Sequence, residues 1–214
     1  TFLKGEYEKA FKIINESYEN YIELDDKTGA GKALNYLGFI SMYKGEYDKA
    51  EKYMEDSLKV RRDIADKKGI ASSLNGLGNV YCDIGELEKA TGLLEESLML
   101  GRDIGDKREI ATSLTNLGII SFNKGEYDKG TGFLTESLDI RCEIGDRRGI
   151  AKSLNYLGDF YIEKEEFDKA IGFLEKSLEI GYEIGFKSGI SYSLRNLGYV
   201  FNQKKALCTP NGYA

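Results

Sequence analysis

The heptapeptide Lys44-Gly45-Glu46-Tyr47-Asp48-Lys49-Ala50 returns, with one residue changed, as Lys124-Gly125-Glu126-Tyr127-Asp128-Lys129-Gly130. Weaker copies begin at Lys4, Ile84 and Lys164, so the chain repeats every 40 residues. A second phrase keeps the same spacing. Ser73-Leu74-Asn75-Gly76-Leu77-Gly78 is echoed from Leu114 to Gly118, from Leu154 to Gly158 and from Leu194 to Gly198. A period between roughly 20 and 50 residues marks stacked supersecondary units, none of which buries its apolar face alone. Stability then comes from neighbour on neighbour, and the product is an extended surface for partners.

One unit, from Asp66 to Gly105, gives the local structure. Asp66 stands where a helix is capped, and Ile70, Leu74, Leu77, Val80 and Tyr81 follow at spacings of three and four. Gly85 ends that helix where a left-handed residue is required, with Gly5, Gly45 and Gly125 at the same phase and Glu165 as the exception. A second, longer helix is predicted from Glu86 to Ile104, closed by Gly105, as later by Gly145 and Gly185. Asp106 and Glu109 have the spacing of a capping box. The fold class is therefore an all-α solenoid of antiparallel helix pairs with unequal arms. The predicted divisions are a half repeat at 1–25, repeats at 26–65, 66–105, 106–145 and 146–185, a half repeat at 186–205, and a non-repeat tail at 206–214. Gly92, Gly132 and Gly172 share one phase inside the second helix, where glycine costs about 0.5–1 kcal/mol, and suggest close backbone approach there.

Composition narrows the function. The chain has no histidine, which removes the commonest general base and transition-metal ligand. Cys82, Cys142 and Cys208 are too far apart for a CxxC pair, and no cofactor or metal is expected. A formal net charge of -6 with both signs interspersed carries no basic stripe for nucleic acid. No apolar run reaches the roughly 18 residues that span a bilayer, so neither nucleic acid nor membrane is an expected partner. Low cysteine content suits a cytoplasm, and would equally suit an extracellular fibre.

Leu74, then Leu77-Gly78, the aromatic Tyr81, the small residue Ala90, and Leu94 with Ser97 form a pattern recurring from unit to unit, with Ser41 and Ser121 in place of the aromatic. It resembles the tetratricopeptide repeat in a lengthened, 40-residue form, as in kinesin light chains, over Thr1 to Lys205. The resemblance implies a right-handed solenoid of about ten helices that binds protein and carries out no catalysis. Serines Ser17, Ser57, Ser97, Ser137 and Ser177 stand where the family has alanine, implying slightly looser packing. In this family the first helix of each pair lines a concave groove. Carried onto this chain, that selects Asn35, Asn75, Asn79 and Asn116 in its first half. Lys152, Asn155, Asp159, Arg195 and Asn196 follow in the second. The recurring amides donate and accept, and so suit the backbone of an extended peptide. The family's clamp for a C-terminal carboxylate is not assembled, because Asn75 stands where lysine is needed and Tyr156 where arginine is.

The ends suggest a more specific role. Thr1 enters at the phase of Ser41, and a first helix from Lys187 to Gln203 closes the array with no partner helix after it. The two half repeats sum to one unit. Phe11, Ile14, Tyr18 and Ile22 are predicted to stand bare at one end, and Leu194, Leu197, Val200 and Phe201 at the other. The preferred expectation is a non-enzymatic interaction protein whose copies join head to tail into a filament. The alternative is a monomeric adaptor, or a fragment of a larger regulatory protein, holding a partner peptide in the groove.

Overall fold

The computed structural model of the chain describes residues 2–208, with side chains from Gly5 to Lys205. These residues form α1 (Phe2–Glu23), α2 (Lys27–Tyr43), α3 (Tyr47–Asp63), α4 (Lys67–Asp83) and α5 (Leu87–Ile104). They continue as α6 (Lys107–Asn123), α7 (Tyr127–Glu143), α8 (Arg147–Glu163), α9 (Phe167–Glu183) and α10 (Lys187–Cys208). Among the described residues there is no strand, and no helix is long and apolar enough to cross a membrane. The chain divides into two units, residues 1–120 and 121–214, with the division inside α6.

In unit 1, α2 packs on α3 and α4 on α5, with α3 against α4 and α1 against α2. Each pair closes where glycine on the first helix admits a large side chain from the second. A Cβ on Gly38 would lie 2.8 Å from Met54, and one on Gly78 would lie 2.7 Å from Leu94. Met54 and Leu94 are fully buried as a result, each contributing about 1.5–3 kcal/mol. Unit 2 repeats the device at Gly158 and Leu174. Its α8–α9 pair is flanked by α7 and α10, around clusters centred on Leu154 and Phe160.

The turns obey local chemistry. Asp26, Asp66 and Asp146 cap their helices by accepting from the N–H of Gly29, Gly69 and Gly149 at 2.9–3.0 Å. Gly85 takes φ +88°, a conformation that costs a side chain, yet Glu165 adopts φ 58° at the equivalent place.

Several expectations require correction. The arms are equal: internal helices have 17 residues except α5, with 18. Gly5 makes no turn. It lies inside α1, where a single glycine costs only about 1 kcal/mol and Phe2, Leu3 and Lys4 extend the helix. At the other end α10 does not stop at Gln203. Lys205 stands where three of the four internal turns have glycine and the fourth has Glu165, and here residues 206–208 of the predicted tail continue the helix, while 209–214 lie outside the described residues. Asp106 caps α6 by accepting from the N–H of Arg108 and Glu109. The Glu109 carboxylate turns instead to Asn75, so the capping box is only half made.

The serine column tightens the packing rather than loosening it. Ser57, Ser97 and Ser177 are completely buried and donate to the carbonyls of Gly31, Ala71 and Ala151 at 2.7–2.8 Å. Each is a side-chain tie between the two helices of a pair. A Cβ on Gly92, Gly132 or Gly172 would meet nothing within 4 Å, so among the described residues no backbone outside the glycine's own helix approaches there.

Candidate interaction groove

A groove of about 900 Å³ opens on unit 1 between the first helices α2 and α4 and the turns beside them. Lys32 and Tyr36 line its α2 wall, Tyr36 being 59% exposed, and Phe39 is half-buried behind them. Lys68 and Ser72 line the α4 wall, with Asp66 and Glu109 at the rim. Both signs of charge and several hydrogen-bonding side chains therefore face one space.

The asparagines predicted to form an open ladder lie elsewhere. Asn35, Asn75 and Asn155 are 7%, 3% and 5% exposed, and each bonds across to the next first helix. Asn35 Nδ2 donates to Ser72 Oγ and Asn75 Nδ2 to Glu109 Oε2, both at 3.2 Å. Asn155 Oδ1 accepts from Ser193 Oγ at 2.7 Å. Asn75 Oδ1 also faces Asn116 Nδ2 at 3.5 Å. The residue one repeat before Asn116 is Gly76, which has no amide to offer, and Asn35 Oδ1 is left without a partner. Successive first helices are thus zipped together by this column. Asn79, Asn116 and Asn196 are half-buried, while Lys152 and Arg195 are exposed.

Asp159 lies in unit 2 among Tyr192, Asn196 and Arg195. Tyr192 Oη donates to its Oδ2, and Asn196 Nδ2 donates to its Oδ1 at 2.5 Å. Burial nonetheless pushes the Asp159 carboxyl up to about 6, against the pull of those donors and of Arg195. Beside it a smaller pocket of about 160 Å³ is lined by Asn155, Tyr156, Phe186 and Tyr192.

Sequence reasoning missed Arg61, which lines the unit 1 groove although it belongs to the second helix α3. Its side chain threads between two first helices. A Cβ on Gly31 would fall 3.1 Å from Arg61 Cγ, and one on Gly69 would fall 2.4 Å from Nη1. The column alternates: Tyr21 lies against Gly29, Arg61 against Gly69, and Arg141 against Gly149. Where the second helix instead has Gly101, the first helix has Glu109. That compensation of size was the available signal, visible only when two columns are read together.

The end helices divide the assembly candidates. Phe11 packs edge-on to Tyr53 with Lys44 over its ring, so it is already used within the chain. Ile14 and Tyr18 are half-buried and Ile22 is 55% exposed. On α10, Leu194 and Phe201 are 48% and 53% exposed. Leu197 and Val200, predicted bare, are buried at 7% and 0% because they lie on the face that meets the preceding helices.

A family model for the tetratricopeptide repeat matches residues 29–102 and 109–183. No curated protein matches the chain. Among solved structures, BtubC (BKLC) from P. vanneervenii is similar at a TM-score of 0.70 and 18% identity, over 97% of this chain and 95% of that one. A Rap protein complexed with competence and sporulation factor gives 0.81 at 15% identity, over 96% of this chain and 61% of that one. This chain thus spans less than two thirds of the Rap protein. A kinesin light chain-like protein of nearly identical TPR-like repeats from Podosopora anserina gives 0.64 at 14% identity, over 82% and 87%. At these identities the likeness is one of fold. The 40-residue phrase, the helix pairs closed by glycine and a model match over most of the sequence agree: this chain belongs to the tetratricopeptide repeat family.

Proposed function

We propose that the protein is a non-catalytic interaction scaffold that holds an extended segment of a partner protein in the groove of unit 1. The observation that carries this is the groove itself. Its volume of about 900 Å³ lies near the top of the roughly 300–1,000 Å³ that ligand clefts occupy. A wall with exposed Tyr36, half-buried Phe39 and charges of both signs suits a peptide better than a compact apolar ligand. The test is selection from a random displayed peptide library on the intact chain, repeated with Tyr36→Glu. Enriched peptides that lose binding to Tyr36→Glu support the groove. No enrichment, or binding indifferent to that change, refutes it.

A second reading, head-to-tail assembly of copies, is favoured by the faces of the end helices. Leu34, Leu74 and Leu154 are 0–5% exposed on their first helices, whereas the equivalent Leu194 is 48% exposed. Gly38, Gly78 and Gly158 each receive a side chain from the second helix, whereas Gly198 faces open space. In α1, Ile14 stands at the phase of Met54, Leu94 and Leu174, the side chains that fill those glycines. Ser17 donates only to Ile13 of its own helix, while its counterparts reach a first-helix carbonyl. A second copy's α1 on α10 would seat Ile14 over Gly198 and give Ser17 the Ser191 carbonyl. Burying such residues yields about 1.5–3 kcal/mol each against an association cost of about 4–15 kcal/mol. Light scattering across a concentration series, with Ile14→Glu and Leu194→Glu as controls, decides it. A monomer throughout refutes assembly.

A further inference from the structure

We propose that Arg61 is the anchor for a carboxylate of the segment held in the unit 1 groove, an inference that rests on the groove reading. Arg61 is only 5% exposed, yet among the described residues no group lies within hydrogen-bonding or ion-pairing distance of its guanidinium, and Nε is an unpartnered buried donor. A guanidinium out of water normally finds a carboxylate, because leaving it unpaired is among the most costly arrangements in a protein.

The chain carries its own control. In unit 2 the same threaded position is Arg141, whose Nη1 bonds Asp146 Oδ2 at 2.5 Å and whose Nε bonds Ser137 Oγ at 3.3 Å. Arg61 has neither partner. Ser57, the counterpart of Ser137, is committed to the Gly31 carbonyl and to Ser73. Asp66 Oδ1 accepts from the Gly69 N–H just as Asp146 Oδ1 accepts from Gly149, but Asp66 Oδ2, unlike Asp146 Oδ2, makes no ion pair with its arginine, and Glu109 Oε2 accepts from Asn75. Those two carboxylates lie close enough to hold the cation in place by their field, against a burial effect that pushes it below its ordinary value. The fork of donors remains free and lines the groove. A planar guanidinium with a free fork is matched to one ligand chemistry, a carboxylate bound through two parallel hydrogen bonds. Lys27, Lys32 and Lys68 also line the groove, balanced in number with Arg61 by Asp25, Asp26, Asp66 and Glu109.

Peptides selected on the wild-type chain are resynthesised with each Asp or Glu replaced by its amide, and with acid or amide C-termini. Their binding is measured to wild type, Arg61→Lys and Arg61→Met. The expected result is one required carboxylate, on a side chain or at the C-terminus, whose removal weakens binding about 10- to 100-fold. Arg61→Met should show the same loss and no further loss with the amide peptide, and Arg61→Lys an intermediate one. Arg61→Met keeps the threaded stem and removes an unpaired buried charge, so it should melt at or above the wild-type temperature. Peptides that still depend on Tyr36 but need no carboxylate, or that bind Arg61→Met equally, overturn the anchor and leave the groove standing. Melting well below wild type also overturns it, since the arginine would then be a strut between α2 and α4. Binding that ignores Tyr36 refutes the groove itself.

Discussion

Asp159 makes stability depend on pH in a direction opposite to that of most acids. It is half-buried on α8, where Tyr192 and Asn196 donate to it, Arg195 attracts it and Glu163 repels it. Loss of water dominates, and its carboxyl is pushed from 3.8 up to about 6. The folded state therefore holds a proton that the unfolded chain has already released. Stability falls as pH rises through the window from 3.8 to about 6, and is level above it. At about 1.4 kcal/mol per unit, the ionised carboxylate costs the fold at most about 3 kcal/mol at neutral pH. Asp159→Asn removes that cost while keeping the shape and an acceptor. Urea unfolding followed by circular dichroism, from pH 4 to pH 8, measures the difference between the two proteins, which cancels the other acids. The variant should match wild type near pH 4, gain over the window, and stay ahead by about 1–3 kcal/mol above it. A difference that is flat with pH, or that favours wild type at neutral pH, refutes the reasoning.

Two further expectations concern the repeat frame. Glu165→Gly should stabilise by about 0.5–1 kcal/mol in the same urea assay, because φ 58° strains a side chain that glycine relieves, less the entropy glycine brings. Ser97→Ala should cost about 1–3 kcal/mol. It deletes the 2.8 Å tie to the Ala71 carbonyl and takes a buried partner from Ser113.

How much of this was legible depended on whether a feature is local to one repeat. The aspartate caps, the positive-φ glycines and the leucine faces are set within a few residues, so their pattern could be read directly from Asp66, Gly85 and Leu74. The asparagine column was legible in spacing but not in direction. A helix rotation of one residue decides whether Asn75 meets solvent or Glu109, and that rotation is set by packing. Leu194 and Leu197 look equivalent in sequence, yet Leu197 is buried against the preceding helices and Leu194 is 48% exposed. Arg61 was invisible for a different reason. Its place on the groove wall depends on Gly31 and Gly69 together, one on the preceding helix and one on the next.

A repeat protein separates what folds it from what it recognises. Columns that must be alike in every unit, such as the glycine beneath Met54, Leu94 and Leu174, close the helix pairs and so cannot distinguish one partner from another. Recognition has to reside in columns free to differ. The threaded column is one of these: tyrosine, arginine, glycine, arginine, glycine at residues 21, 61, 101, 141 and 181. In the first four pairs a large residue on one helix stands with glycine on the other, and in the fifth, where Gly181 stands with Gly189, Phe186 takes the space, so the chemistry of each member is free to change. Arg141 has been closed by Asp146, and Gly101 exchanged for Glu109, which leaves one open guanidinium on a groove wide enough for a peptide. A buried charge without a partner is costly in a scaffold selected only to fold, and its place on the groove wall is most economically explained by a ligand that completes it.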